Sequence, residues 1–117
     1  MPTSASPRDL VLACIDALNR EDFQRARDYI NDDFAFVGVL GSRNGAEAYF
    51  QDMERMRIKY SIQKVFADEQ DVCLLYDVTL SGKTVFGCAW YHVEAGKIRS
   101  LRVVFYPRPL LENKPNP

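Results

Sequence analysis

One histidine, His92, and three cysteines, Cys14, Cys73 and Cys88, are all that this 117-residue chain offers of the side chains that most often hold transition metals. No two of the cysteines lie close together, and a single histidine cannot complete the usual Cys/His sets. A structural zinc site and a disulfide framework are therefore both excluded, and neither a metal nor a cofactor is expected. Positive charge is not in excess either: 15 Lys and Arg against 16 Asp and Glu leave a net charge of −1. Without a basic stripe to neutralise phosphates, nucleic acid is a poor partner. No apolar run approaches the length of a membrane span, and the opening stretch Met1–Pro7 lacks a basic region followed by an apolar one. A reduced, cytoplasmic protein with no membrane contact is expected.

What is present is an ordinary globular composition, 47% hydrophobic and 26% charged. The length suits one domain, residues 1–117, able to bury roughly two thirds of its unfolded surface without staples. Ser6-Pro7-Arg8-Asp9 predicts a helix start, with a capping hydroxyl, proline at the first helical position and an acid near the terminal amides. Leu10, Cys14 and Leu18 then recur at helical spacing beside Val11 and Ile15. A second short helix fits Asp22 to Ile30, and Phe34 to Val39 reads as a strand. Gly41-Ser42-Arg43-Asn44-Gly45 reads as a loop. Asn44 with Glu47 three positions on forms a variant capping box for a third helix, from about Gly45 to Met56. Four β-rich runs follow, Ile58–Ala67, Val72–Leu80, Thr84–Glu94 and Lys97–Tyr106, with connectors short enough for antiparallel hairpins. Residues 1–6 are expected as an N-terminal arm and 107–117, with four prolines, as an extended tail. The fold class is α+β: three helices on one face of a curved antiparallel sheet, in the order α-α-β-α-β-β-β-β.

Strand alternation divides each run into two faces. Leu74, Tyr76, Val78 and Leu80 are assigned to the helix-covered side, because the opposite set carries Asp77. Phe86, Cys88, Trp90 and His92 are assigned inward on the next strand, and Leu101, Val103 and Phe105 on the last. Both sheet faces are then rather apolar, and the helices suffice for one. A homodimer through the outer face is the expected consequence.

The element order, the Ala17-Leu18-Asn19 end of helix one followed by Glu21-Asp22, the Asp32-Asp33 entry to strand one and Gly96-Lys97-Ile98 before the last strand resemble the nuclear transport factor 2-like superfamily. Within it they resemble the ketosteroid isomerase and SnoaL-like polyketide cyclase branch. The resemblance spans about Pro7 to Tyr106 and implies a cone enclosing one apolar pocket, commonly in a dimer. It does not carry the isomerase chemistry: the family's helix-one tyrosine falls on Cys14, its strand-one aspartate base on Gly38 and its protonated aspartate on Trp90. These three cannot supply the base and oxyanion donors that the mechanism needs.

The remaining chemistry centres on His92, as acid or base, with Tyr76 as hydrogen-bond donor. Asp77 is the alternative should a bulge exchange the faces. Trp90, Phe34, Phe36, Phe86, Leu101, Val103 and Phe105 are expected to wall a cavity beneath Tyr49 and Met53. The same side chains would equally make a solid core. The expected ligand is a small hydrophobic molecule. Its handling would be binding with cofactor-independent isomerase, cyclase or dehydratase chemistry, or the domain is a non-catalytic dimer that binds a ligand or partner.

Overall fold

The Ser6 hydroxyl accepts a hydrogen bond from the Asp9 amide at 3.1 Å, and helix α1 (Pro7–Asn19) starts there with proline in its first turn. In the computed structural model residues 6–108 are described; almost all of the expected N-terminal arm and Pro-rich tail lie outside the described residues. Helix α1 buries Leu10, Val11, Cys14, Ile15 and Leu18 as the periodicity predicts. Helix α2 (Phe23–Asp28) is capped by Asp22, whose carboxylate accepts from the Arg25 amide at 3.2 Å. It ends earlier than expected because Ile30 is drawn into strand β1 (Ile30–Gly38), where it pairs with Ile98.

The loop predicted at 41–45 contains a short strand, β2 (Gly41–Asn44), paired antiparallel with β1 so that Asn44 stands opposite Ala35. Taking Asn44 into a strand removes it from the helix terminus. Helix α3 (Ala46–Met56) therefore starts at Gly45 without a side-chain cap, and the Asn44/Glu47 box does not form. Gly45 sits at φ 90°, a conformation that a side chain would strain, while its amide donates to the Phe34 carbonyl at 2.6 Å.

Strands β3 (Lys59–Asp68), β4 (Asp71–Leu80), β5 (Lys83–Glu94) and β6 (Lys97–Phe105) form the three expected hairpins. The sheet order is β2-β1-β6-β5-β4-β3, and the α+β cone stands as read from the sequence. One pairing adds to that reading: β1 runs parallel to β6, which makes the curved sheet mixed. No helix among the described residues is long and apolar enough to cross a membrane.

The register corrects one strand face. Val72, Leu74, Tyr76 and Val78 stand opposite Tyr91, Ala89, Gly87 and Val85, and directly opposed residues share a face. Since Leu74 and Tyr76 are buried beneath the helices, Val85, Gly87, Ala89, Tyr91 and Val93 are the inward set of β5. Phe86, Cys88, Trp90 and His92 lie on the outer face, with Phe86 56% and Trp90 48% exposed. Both sets of β5 are apolar, so alternation alone does not say which of them is covered. The Gly87 position shows why the small residues belong inside. A Cβ there would lie 3.1 Å from both the Phe105 Cβ and the Val104 carbonyl, so glycine leaves room for the neighbouring strand.

Candidate functional site

A cavity of about 230 Å3 remains inside the cone, so the aromatic side chains do not fill it. This is below the roughly 300–1,000 Å3 usual for small-molecule sites, so it suits a small ligand. Of the residues proposed from the sequence, Phe36, Tyr49, Met53, Tyr76, Leu101, Val103 and Phe105 line it. Phe34 is inward but lies beneath the lining, fully buried, with its ring centroid 4.8 Å from that of Tyr49. Trp90, Phe86 and His92 are not part of the wall, because they occupy the other sheet face. Asp77 stays on that face as well, where it accepts from Gln63 Nε2 at 2.8 Å.

Three phenols meet at the cavity. Tyr76 comes from β4, Tyr49 from the buried side of α3, and Tyr60 from β3; the Tyr60 and Tyr76 ring centroids are 5.3 Å apart. Tyr60 carries no local signal in the sequence, since β3 alternates weakly. Its position is set from a distance: the Asn19 side chain at the end of α1 donates to the Tyr60 carbonyl at 2.9 Å and accepts from the Tyr60 amide at 2.8 Å. The Tyr60 hydroxyl contacts the Met53 sulfur at 3.7 Å. Burial pushes the hydroxyl pKa values of Tyr49, Tyr60, Tyr76 and Tyr91 upward. These phenols stay protonated at neutral pH, and so they are hydrogen-bond donors rather than bases.

Among the described residues Asp52 on α3, at the rim, is the one acid lining the cavity. Its oxygens are bound by Arg43 Nε at 2.8 Å and Arg55 Nη2 at 3.2 Å. The i,i+3 spacing of Asp52 and Arg55 was visible in the sequence, but the approach of Arg43 depends on β2, which was read as a loop. The position aligned with the isomerase base, Gly38, does line the cavity. There a Cβ would fall 2.8 Å from the Phe36 ring, so any side chain must displace that ring. Cys14 is buried in the core, its thiol pushed up to about 12 by burial, which makes it an inert filler. Trp90 points away from the cavity, so the position aligned with the protonated aspartate is not an inward one.

His92 belongs to a separate cluster on the outer face. Its Nδ1 lies 2.8 Å from Asp71 Oδ1 and its Nε2 3.3 Å from Glu94 Oε2, while Trp90 Nε1 donates to the same Asp71 oxygen at 2.8 Å. The Asp71 hydrogen bond raises the His92 pKa above its ordinary value, and the Trp90 and His92 bonds lower that of Asp71. Among the described residues no group of three or more His, Cys, Asp and Glu is placed to hold a metal.

The SnoaL-like domain model matches residues 11–101. A nuclear transport factor 2-like protein of unknown function from Cytophaga hutchinsonii is 48% identical, with a TM-score of 0.93 over 96% of this chain and 100% of that one. Two more distant structures share the fold. An LEH-like epoxide hydrolase of M. tuberculosis is 21% identical, with a TM-score of 0.79 over 95% of this chain and 90% of that one. A proposed SnoaL-like polyketide cyclase from Shewanella denitrificans is 16% identical, with a TM-score of 0.78 over 91% of this chain and 94% of that one. No curated protein matches the chain.

Proposed function

The chain belongs to the SnoaL-like family, and on that premise we propose that it binds a small, largely apolar molecule inside the cone through hydrogen bonds from Tyr76, Tyr60 and Tyr49. The observation that carries this reading is the meeting of three protonated phenols on one apolar cavity of about 230 Å3. Protonated phenols suit a ligand carbonyl or hydroxyl, and they stabilise negative charge that develops on such an oxygen. Turnover would then be cofactor-independent isomerisation, cyclisation or dehydration, with Asp52 as the one lining carboxylate among the described residues. Its two oxygens are already engaged by Arg43 and Arg55, and that engagement favours the second reading, a non-catalytic binding domain.

The test is titration of the protein with small cyclic ketones, followed by the methyl resonances of Met53 and Met56 and by calorimetry. Tyr76→Phe should weaken ketone binding roughly three- to tenfold, the worth of one neutral hydrogen bond, and leave binding of the matching hydrocarbon unchanged. Ketones that bind without moving either methionine would refute the site.

We also propose a homodimer through the outer sheet face. Phe66, Phe86, Trp90, Val37 and Val104 are all more than 40% exposed there, a larger apolar area than isolated surface residues present. A second copy would cover it with the same residues, as a two-fold interface does.

A further inference from the structure

Among the described residues lining the cavity only Arg43, Asp52 and Arg55 carry charge. Arg43 and Arg55 are 47% and 68% exposed in their side chains, while Asp52 is 15% exposed. The three therefore stand where the cavity meets solvent, beside the exposed Leu40 of the β1–β2 turn. Exposed ion pairs are ordinarily worth little and need no function. Here the count does not balance: two guanidinium groups share one carboxylate, leaving a surplus of one positive charge at an otherwise uncharged opening. Arg43 spends Nε on Asp52 and Nη1 on the Ser42 carbonyl at 2.9 Å. Its Nη2 has no partner among the described residues, and Arg55 is held through one nitrogen only. The shared carboxylate orients both groups without neutralising them.

We propose that this rim selects the ligand by charge: the molecule taken into the cavity is a small apolar body bearing one anionic group, a carboxylate or its equivalent. The anion rests on Arg43 and Arg55, and the apolar part, with any carbonyl or hydroxyl it carries, reaches inward to Tyr60 and Tyr76. This rests on the proposed binding function and adds the polarity of the ligand and its orientation. A guanidinium suits the task because its planar donors can meet both oxygens of a carboxylate. A cationic ligand would be repelled, and a neutral one would gain nothing from the rim.

The experiment compares 3-phenylpropanoate with its methyl ester and with 3-phenylpropylamine by calorimetry, while methionine resonances report entry to the cavity. The acid should bind at least tenfold more tightly than the ester, and the amine should bind most weakly. The preference for acid should shrink about threefold in Arg43→Gln and further when Arg55→Gln is added, and should fall between 20 and 300 mM salt. Arg43→Lys should restore part of it, and unchanged melting temperatures would show that the variants fold. Equal binding of acid and ester inside the cavity overturns the charge selection but leaves the binding function standing. A preference that survives the double variant also overturns it. Failure of acid and ester alike to enter the cavity overturns both.

Discussion

Tyr76 stands directly opposite Gly87 across the β4–β5 ladder. Tyr76 is 1% exposed, and a Cβ at Gly87 would meet its ring at an ordinary contact distance of 3.6 Å while crowding the Phe105 Cβ and the Val104 carbonyl at 3.1 Å. This pair decides the inward set of β5 and, with it, which aromatic residues see the cavity and which see solvent.

Gly87→Val should destabilise the fold by about 1–3 kcal/mol, because the new side chain crowds the Phe105 Cβ and the Val104 carbonyl, both 3.1 Å from its Cβ position. Urea unfolding measures it. An unchanged midpoint would mean that the β5–β6 contact is looser than the geometry shows.

Asn19→Ala should cost about 1–3 kcal/mol, since it leaves both the amide and the carbonyl of Tyr60 without their side-chain partner. Ligand affinity should fall as well, because the Tyr60 hydroxyl is placed by that clamp. Asn19→Asp keeps an acceptor for the Tyr60 amide but loses the donor to its carbonyl. It should fall between wild type and alanine in unfolding experiments.

The single histidine permits a direct pH test. Folding raises the His92 pKa above 6.5, chiefly through the Asp71 hydrogen bond, with smaller contributions from Asp71 and Glu94 charge. Its contribution to stability is therefore fully present below about pH 6.5 and is lost as pH rises through the folded-state value. Asp71, with a lowered pKa, contributes above its ordinary value of 3.8 and loses that contribution as pH falls through its folded value. A proton NMR titration should place the His92 midpoint above 6.5, and Asp71→Asn should move it downward. A midpoint at or below 6.5 in the wild type would contradict the cluster geometry.

Trp90→Lys and Phe86→Lys should each convert the proposed dimer to a monomer of 13.4 kDa by light scattering, with cavity binding retained. The wild type should show twice that mass, and a monomeric wild type at 100 µM would remove the outer-face interface. Tryptophan emission should shift to longer wavelength on dilution, because Trp90 is the chain's one tryptophan and lies on that face.

Much of the candidate site was legible from strand alternation and helical spacing. Tyr76 falls at the cavity because the opposite face of β4 carries Asp77, Leu101 and Val103 follow from alternation on β6, and Tyr49 and Met53 from the apolar side of α3. Phe86, Trp90 and His92 were not placed correctly, because alternation yields two faces without saying which is covered when both are apolar. Tyr60 was missed because its placement comes from Asn19, 41 residues away in sequence.

The order of the helices and of every strand but β2, the Ser6 and Asp22 helix starts and the three hairpins follow from the amino-acid pattern. Each of these rests on propensity, capping or turn chemistry within a few residues of the chain. Tertiary structure alone decided the rest: the parallel seating of β1 on β6, the capture of Asn44 by β2, the inward face of β5, and the meeting of Arg43 with Asp52. All four depend on which strand lies alongside which. That choice is settled by packing large side chains against small ones across the sheet, as Tyr76 packs against Gly87, and no local pattern encodes it.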